Sequence, residues 1–233
     1  MLVEGAIHAR EWITAPLLVK MVEYYATKTF TGGMYFIPLS NPDGVKLALE
    51  GLDAIPESRH QFLLDVNYGS NNFSLWKANI NAVDLNVNFD ALWGQGTQNV
   101  RYPSSANFIG YEPNSEPEVQ ALINFTNQVR PDITLSYHTK GEVIYYGFET
   151  LSPAQLRRDY LIATELSAVN GYPVIKTEGS VGGYSDWVSL NLGVPAFTIE
   201  VGNPSIPHPI TEQYLNTIFE QNKDVPLAAL GAV

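Results

Sequence analysis

Short apolar runs alternate with stretches of helical periodicity along most of this chain, and that alternation restricts the fold more than any other feature. Residues 1–7 (MLVEGAI), 34–39 (MYFIPL), 132–138 (DITLSYH), 142–148 (EVIYYGF) and 195–201 (PAFTIEV) each read as a strand. Residues 81–90 (NAVDLNVNFD) read as a short strand running into a loop. Ile13, Leu17, Leu18, Met21, Val22 and Tyr25 recur at helical spacing within 11–27. In 113–132, Ser115 stands three residues before Glu118 with Pro117 between them, the pattern of a capped helix start. Ser152-Pro153 opens a long helix that Gly171 closes, and a last helix begins near Thr211. The NPDG tetrapeptide at 41–44 predicts a turn, and 45–80 predicts irregular structure. Strands alternating with helices predict an α/β fold whose largely parallel sheet is covered on both faces.

Composition narrows what such a fold can do. The 233 residues are 45% hydrophobic and 16% charged, enough core for one domain over 1–233. The net charge of -11 argues against a basic face for nucleic acid. No stretch approaches the roughly 18 consecutive apolar residues of a membrane span. With no cysteine in the chain, a metal would have to be held by His, Asp or Glu. No basic leader precedes the first strand, so the reading is an intracellular protein or one whose natural N-terminus lies upstream.

In sheets of this kind ligands bind at the carboxyl ends of strands. His8, Asn41 to Gly44, Asp84 to Asn88, His138 and Glu200 all fall at or near such ends. His8 and Glu11 form an H-x-x-E pair that, with His138, makes a His2Glu set, a catalytic zinc arrangement with a fourth position open. The same pair equally describes a satisfied imidazole and a first-turn carboxylate favoured by the helix dipole. Glu200, amid the apolar residues of FTIEVG, needs a partner or a raised pKa if it is buried, the environment of a general base. At a solvent-facing strand end it would need neither. Asp84 in VDLN either accepts a histidine N–H or closes an Asx turn. His60 and His208 read as surface residues, and Tyr145 and Tyr146 as ordinary strand residues.

Seven segments, in order, resemble the zinc carboxypeptidases related to carboxypeptidase A: GAIHAREWI, NPDG, LWKAN, VDLNVNFDALWG, SEPEVQAL, LSYHTKGEVIYY and FTIEVG. The resemblance implies a three-layer α/β/α sandwich with a mixed, largely parallel sheet. It implies one Zn2+ held by His8, Glu11 and His138, with Glu200 as general base and Asp84 as the partner of His8. Arg10 would be a substrate-side cation. Lys77 stands where relatives carry an arginine that polarises the scissile carbonyl, a point charge replacing a planar fork. Relatives also grip the substrate's terminal carboxylate with an Asn-Arg pair, which here reads Asn86-Val87. The family's mobile tyrosine falls at Glu178, and the tyrosine two residues after the third ligand is Lys140.

These departures resemble the branch that cuts γ-D-glutamyl–diaminopimelate bonds, with Lys140 and Glu178 expected to read the charged end of diaminopimelate. That implies a peptidoglycan stem peptide as substrate, in a bacterial protein that is secreted or bound to the cell wall. Two other readings are a conventional carboxypeptidase that clamps with Arg10 or Lys140, and an inactive cell-wall-binding homologue. Relatives carry two edge strands and a helix before the first strand, so the chain reads as N-terminally shortened. The edge left bare would favour self-association.

Overall fold

The computed structural model describes residues 1–233 and contains one six-stranded sheet between two layers of helices. Its strands are β1 (Leu2–Gly5), β2 (Tyr35–Ile37), β3 (Thr134–Thr139), β4 (Val143–Tyr146), β5 (Val174–Lys176) and β6 (Ala196–Val201), in the order β2-β1-β3-β6-β4-β5. Only the β4–β6 pair is antiparallel. The helices are α1 (Thr14–Ala26), α2 (Pro42–Glu50), α3 (His60–Val66), α4 (Pro117–Val129), α5 (Pro153–Asn170), α6 (Tyr184–Leu192), α7 (Leu215–Asn222) and α8 (Val225–Gly231). None is long and apolar enough to cross a membrane.

Period-two alternation divides the central strands between the two helical layers. Val3, Leu135, Tyr137, Phe197, Ile199 and Val201 join the core beneath α1, α5, α7 and α8. Leu2 and Ala196 face the second core, with Val119 and Leu122 of α4 and Trp187 and Val188 of α6. The positions alternating with the first set are Glu4 on β1, Thr134, Ser136 and His138 on β3, and Thr198 and Glu200 on β6. One face of the sheet is therefore apolar, while the other becomes polar toward its carboxyl end. Register places Glu4 beside Ser136 and His138 beside Glu200.

Several elements differ from the sequence reading. NPDG does not end in a turn: Asn41 caps α2, its side chain accepting from Gly44 N at 3.1 Å, with Pro42 in the first turn. The stretch 45–80 contains α2, α3 and two 3-10 turns, which pack a small core of Leu47, Ile55, Leu63, Phe73 and Trp76. Residues 81–90 form no strand, only a 3-10 turn over Leu85–Val87. The helix after Ser115 starts without a side-chain cap, since the Ser115 hydroxyl bonds Glu116 instead of a backbone N–H. Helix α5 opens at Ser152 and closes at a left-handed Gly171 as the sequence predicts, and the structure adds a capping box between Ser152 and Gln155. Strand β5 and helix α6 had no counterpart in the reading.

Candidate metal centre and active-site cleft

Immediately after β1 the chain turns sharply, with Ala6 in the left-handed region, and enters a 3-10 turn over Ala9–Glu11. Two neighbours hold that turn. Ala9 N donates to Lys77 O at 3.1 Å, and the buried Asn41 side chain donates to Ile7 O and Ala78 O at 3.1 and 3.2 Å. Gly44 is required at this junction, because a Cβ there would lie 2.6 Å from Ala78 O. Trp76, buried and donating to Asn79 O at 3.1 Å, anchors the segment that carries Lys77.

His8, Glu11 and His138 are 5%, 3% and 2% exposed and converge on one point. His8 Nδ1 lies 3.0 Å from Glu11 Oε1 and 3.1 Å from His138 Nδ1, which in turn is 3.1 Å from Glu11 Oε2. Thr139 N also donates to Glu11 Oε2 at 3.1 Å. Ligands about 2.0–2.1 Å from a tetrahedral zinc stand roughly 3.3 Å apart, so the donor set fits that ion in both chemistry and spacing. Two imidazole nitrogens facing each other share at most one proton, whereas one cation satisfies both.

The surrounding charges favour a cation. Burial would raise the Glu11 carboxyl, but His8 and His138 outweigh it and hold it well below the usual carboxylate range. Burial would likewise lower His138, yet Glu11, through a hydrogen bond and its charge, pulls it up to about 9, helped by Glu200 and Glu4.

Each histidine has a buried carboxylate behind it. His8 Nε2 stands 3.2 Å from Asp84 Oδ1, an ion-pair distance out of hydrogen-bond alignment. Lys77 Nζ lies 3.0 Å from Asp84 Oδ2, and the backbone N–H groups of Asn86 and Asn107 donate to Asp84 at 3.2 and 3.0 Å. Burial opposes ionisation of Asp84, but Lys77 and His8 keep it well below the ordinary range. On the other side, His138 Nε2 is 3.1 Å from the Ser136 hydroxyl, which donates to Glu4.

His8 and His138 border a cleft of about 370 Å³, and only 5 of its 24 lining residues are hydrophobic, so it suits a polar ligand. Lys77 and Glu200 line it, as do Asn86, Val87 and Glu178. Burial and the nearby Glu11 charge raise Glu200, and its Oε2 has no hydrogen-bond partner. Asp186 lies at the start of α6 and accepts from Gly183 N at 2.9 Å; burial pushes it up to about 7. Sequence reading missed Asp186, although its place in GGYSDW is the available signal.

Three expectations change. Arg10 and Lys140 do not line the cleft. Lys140 donates to the carbonyls of Pro204 and Ile206, and His208 is lowered by burial first and then by the Arg10 and Lys140 charges. His60 and His208 are partly buried, with His60 Nε2 2.8 Å from Ile55 O. Tyr145 and Tyr146 line the cleft, where burial and the Glu200 charge raise the Tyr145 phenol.

A zinc carboxypeptidase family profile matches residues 1–224. The chain is 35% identical over 243 aligned residues to gamma-D-glutamyl-L-diamino acid endopeptidase 1 of Lysinibacillus sphaericus, covering 97% of this chain and 60% of that enzyme. It is 38% identical over 87 residues to murein peptide amidase A of Escherichia coli K12, covering 34% of this chain and 36% of the amidase. The crystal structure of thrombin activatable fibrinolysis inhibitor superposes with a TM-score of 0.79 at 21% identity, covering 100% of this chain and 61% of that one, which supports the fold alone. The chain thus spans less than two thirds of the length of the endopeptidase relative.

Proposed function

The chain belongs to the zinc carboxypeptidase family, and on that premise we propose that it is a zinc peptidase that hydrolyses γ-D-glutamyl–diamino acid bonds in bacterial cell-wall peptides. The observation that carries this reading is the convergence of His8, Glu11 and His138 beside a cleft that also contains Glu200 and Lys77. These three side chains would hold one zinc ion. When bound, zinc supplies Lewis-acid polarisation of the scissile carbonyl and acidifies a water.

Glu200 acts as general base and then acid. It takes the proton of the attacking water as the O–C bond forms, and delivers it to the departing amine as the C–N bond breaks. Its raised pKa suits a group that must both accept and release a proton. Lys77, held by Asp84, stabilises the oxyanion as negative charge develops on the former carbonyl oxygen.

The leaving side of the cleft supports a diamino acid. Val87 supplies no partner for a terminal carboxylate, and a carboxylate desolvated against it would be penalised. Glu178 offers negative charge to an ammonium group in the same cleft. Similarity to the Lysinibacillus endopeptidase supports the same bond. The substrate would place the enzyme at or outside the cell surface. Lys140, engaged with two carbonyls, is left out of substrate reading.

The test is incubation of zinc-loaded protein with a γ-D-glutamyl–diaminopimelyl peptide, with products read by mass spectrometry. Cleavage at that bond is expected, with slower cleavage when diaminopimelate is replaced by norleucine. Faster release of simple free-acid C-terminal residues would instead establish a conventional carboxypeptidase.

A further inference from the structure

Glu4 is a fully buried carboxylate in the middle of β1, with no Lys or Arg paired to it. Such a position is costly unless the charge is used. Register explains where that charge is directed. Glu4 lies opposite Ser136 in the β1–β3 ladder, and Ser136 and His138 occupy the same face of β3 two residues apart. Glu4 Oε2 accepts from the Ser40 hydroxyl at 2.8 Å, and Oε1 accepts from the Ser136 hydroxyl.

Proton counting then fixes the imidazole. A serine hydroxyl has one proton to donate. With Glu4 ionised, Ser136 gives it to Glu4, so toward His138 Nε2, 3.1 Å away, it can only accept. Nε2 therefore carries the hydrogen. In a neutral imidazole that leaves the lone pair on Nδ1, the nitrogen facing His8 Nδ1 and Glu11 Oε2. We propose that Glu4 is a positioning residue that acts through Ser136 to set the tautomer and ring orientation of His138 for metal binding. The inference rests on the reading of His8, Glu11 and His138 as zinc ligands.

Zinc affinity, measured by competition with a chromophoric chelator, tests this in wild type, E4Q, S136A, the E4Q/S136A double variant and H138A. Partners of this kind change metal affinity about 10–100-fold. E4Q and S136A should each weaken zinc binding within that range, and the double variant should lose no more than the weaker-binding single variant, because both act through one path. At saturating zinc, KM should remain at the wild-type value. Thermal unfolding of the chelator-treated E4Q protein should be unchanged or improved, since an amide is less costly to bury than a carboxylate. Long-range 1H–15N spectra of histidine-labelled, zinc-loaded protein should show His138 protonated on Nε2.

Zinc affinities of E4Q and S136A within twofold of wild type, or a zinc-loaded His138 with its proton on Nδ1, would overturn the inference. So would a loss of affinity matched by an equal loss of apoprotein stability, the result of a merely structural role. If wild type takes up no zinc, or H138A binds it as well as wild type, the metal reading itself fails. If H138A loses zinc while E4Q keeps it, only the role of Glu4 fails.

Discussion

The two histidines of the candidate metal centre are supported in different ways. His8 stands on a loop, and its carboxylate, Asp84, comes from another loop and is fixed by Lys77 and two backbone N–H groups. His138 stands on a central strand, and its support, Ser136 and Glu4, comes from that strand and its neighbour through sheet register. One support is shared with a cation in the cleft, and the other serves the imidazole alone. On the proposed function, loop construction would tie metal binding to transition-state charge, whereas sheet construction would keep metal binding separate from it.

The largest effect lies at a residue belonging to neither support. Glu200→Gln is expected to reduce kcat by about 10²–10⁴-fold while zinc content stays at the wild-type value, because an amide cannot accept the water's proton. Steady-state kinetics with parallel metal analysis checks this. Retained turnover would make Glu200 structural.

The comparison itself is tested by Asp84→Asn, which should weaken zinc by about 10–100-fold. It should also lower kcat at saturating zinc, since Lys77 loses its ionic anchor. The same kcat as wild type under zinc saturation would show that the two supports do the same job.

A smaller change is expected at Val87. Val87→Arg should shift preference about tenfold toward free-acid over amidated substrates, in line with the added strength of a charge-assisted bidentate contact. The readout is kcat/KM on the matched pair. A wild-type enzyme that already prefers the free acid would mean that another cation holds the carboxylate.

Asp186 provides a baseline for both supports, being a buried acid with one backbone donor and no cation. Burial, with a contribution from Glu149, raises it to about 7, against about 3.9 in an unfolded chain. Between those values the folded protein holds one more proton than the unfolded chain. Stability from this group is therefore fully present below about pH 4 and falls as pH rises through 7, by up to about 1.4 kcal/mol per pH unit. Urea unfolding at pH 5 and pH 8 should show this loss in wild type and not in Asp186→Asn. Equal slopes would mean that Asp186 is ionised and paired.

Legibility followed the physics of each region. Strands β3 and β6 were readable because one face is apolar and the other holds polar residues whose spacing survives in TLSYHT and AFTIEV. The metal-ligand candidates were visible for the same reason, as ionisable residues at strand ends. NPDG was read as a turn because Pro and Gly suit both a turn and a capped first helical turn, and only contact with Ile7 and Ala78 separates them. Glu4 passed as one letter in a short strand because its significance depends on register with a strand 132 residues away. Lys140 reads as a substrate cation in the sequence because its two carbonyl partners lie 64 and 66 residues on. Local chemistry was legible, while long-range partners were not.

His8, Glu11 and His138 are proposed to hold one zinc ion together. X-ray absorption spectroscopy on purified protein, combined with metal counting of the three single alanine variants, tests it most directly. One zinc per chain is expected, with two imidazoles and one carboxylate at about 2.0–2.2 Å, and loss of that zinc in each variant. Zinc retained at full stoichiometry in any of the three, or a coordination shell lacking two imidazoles, would contradict it.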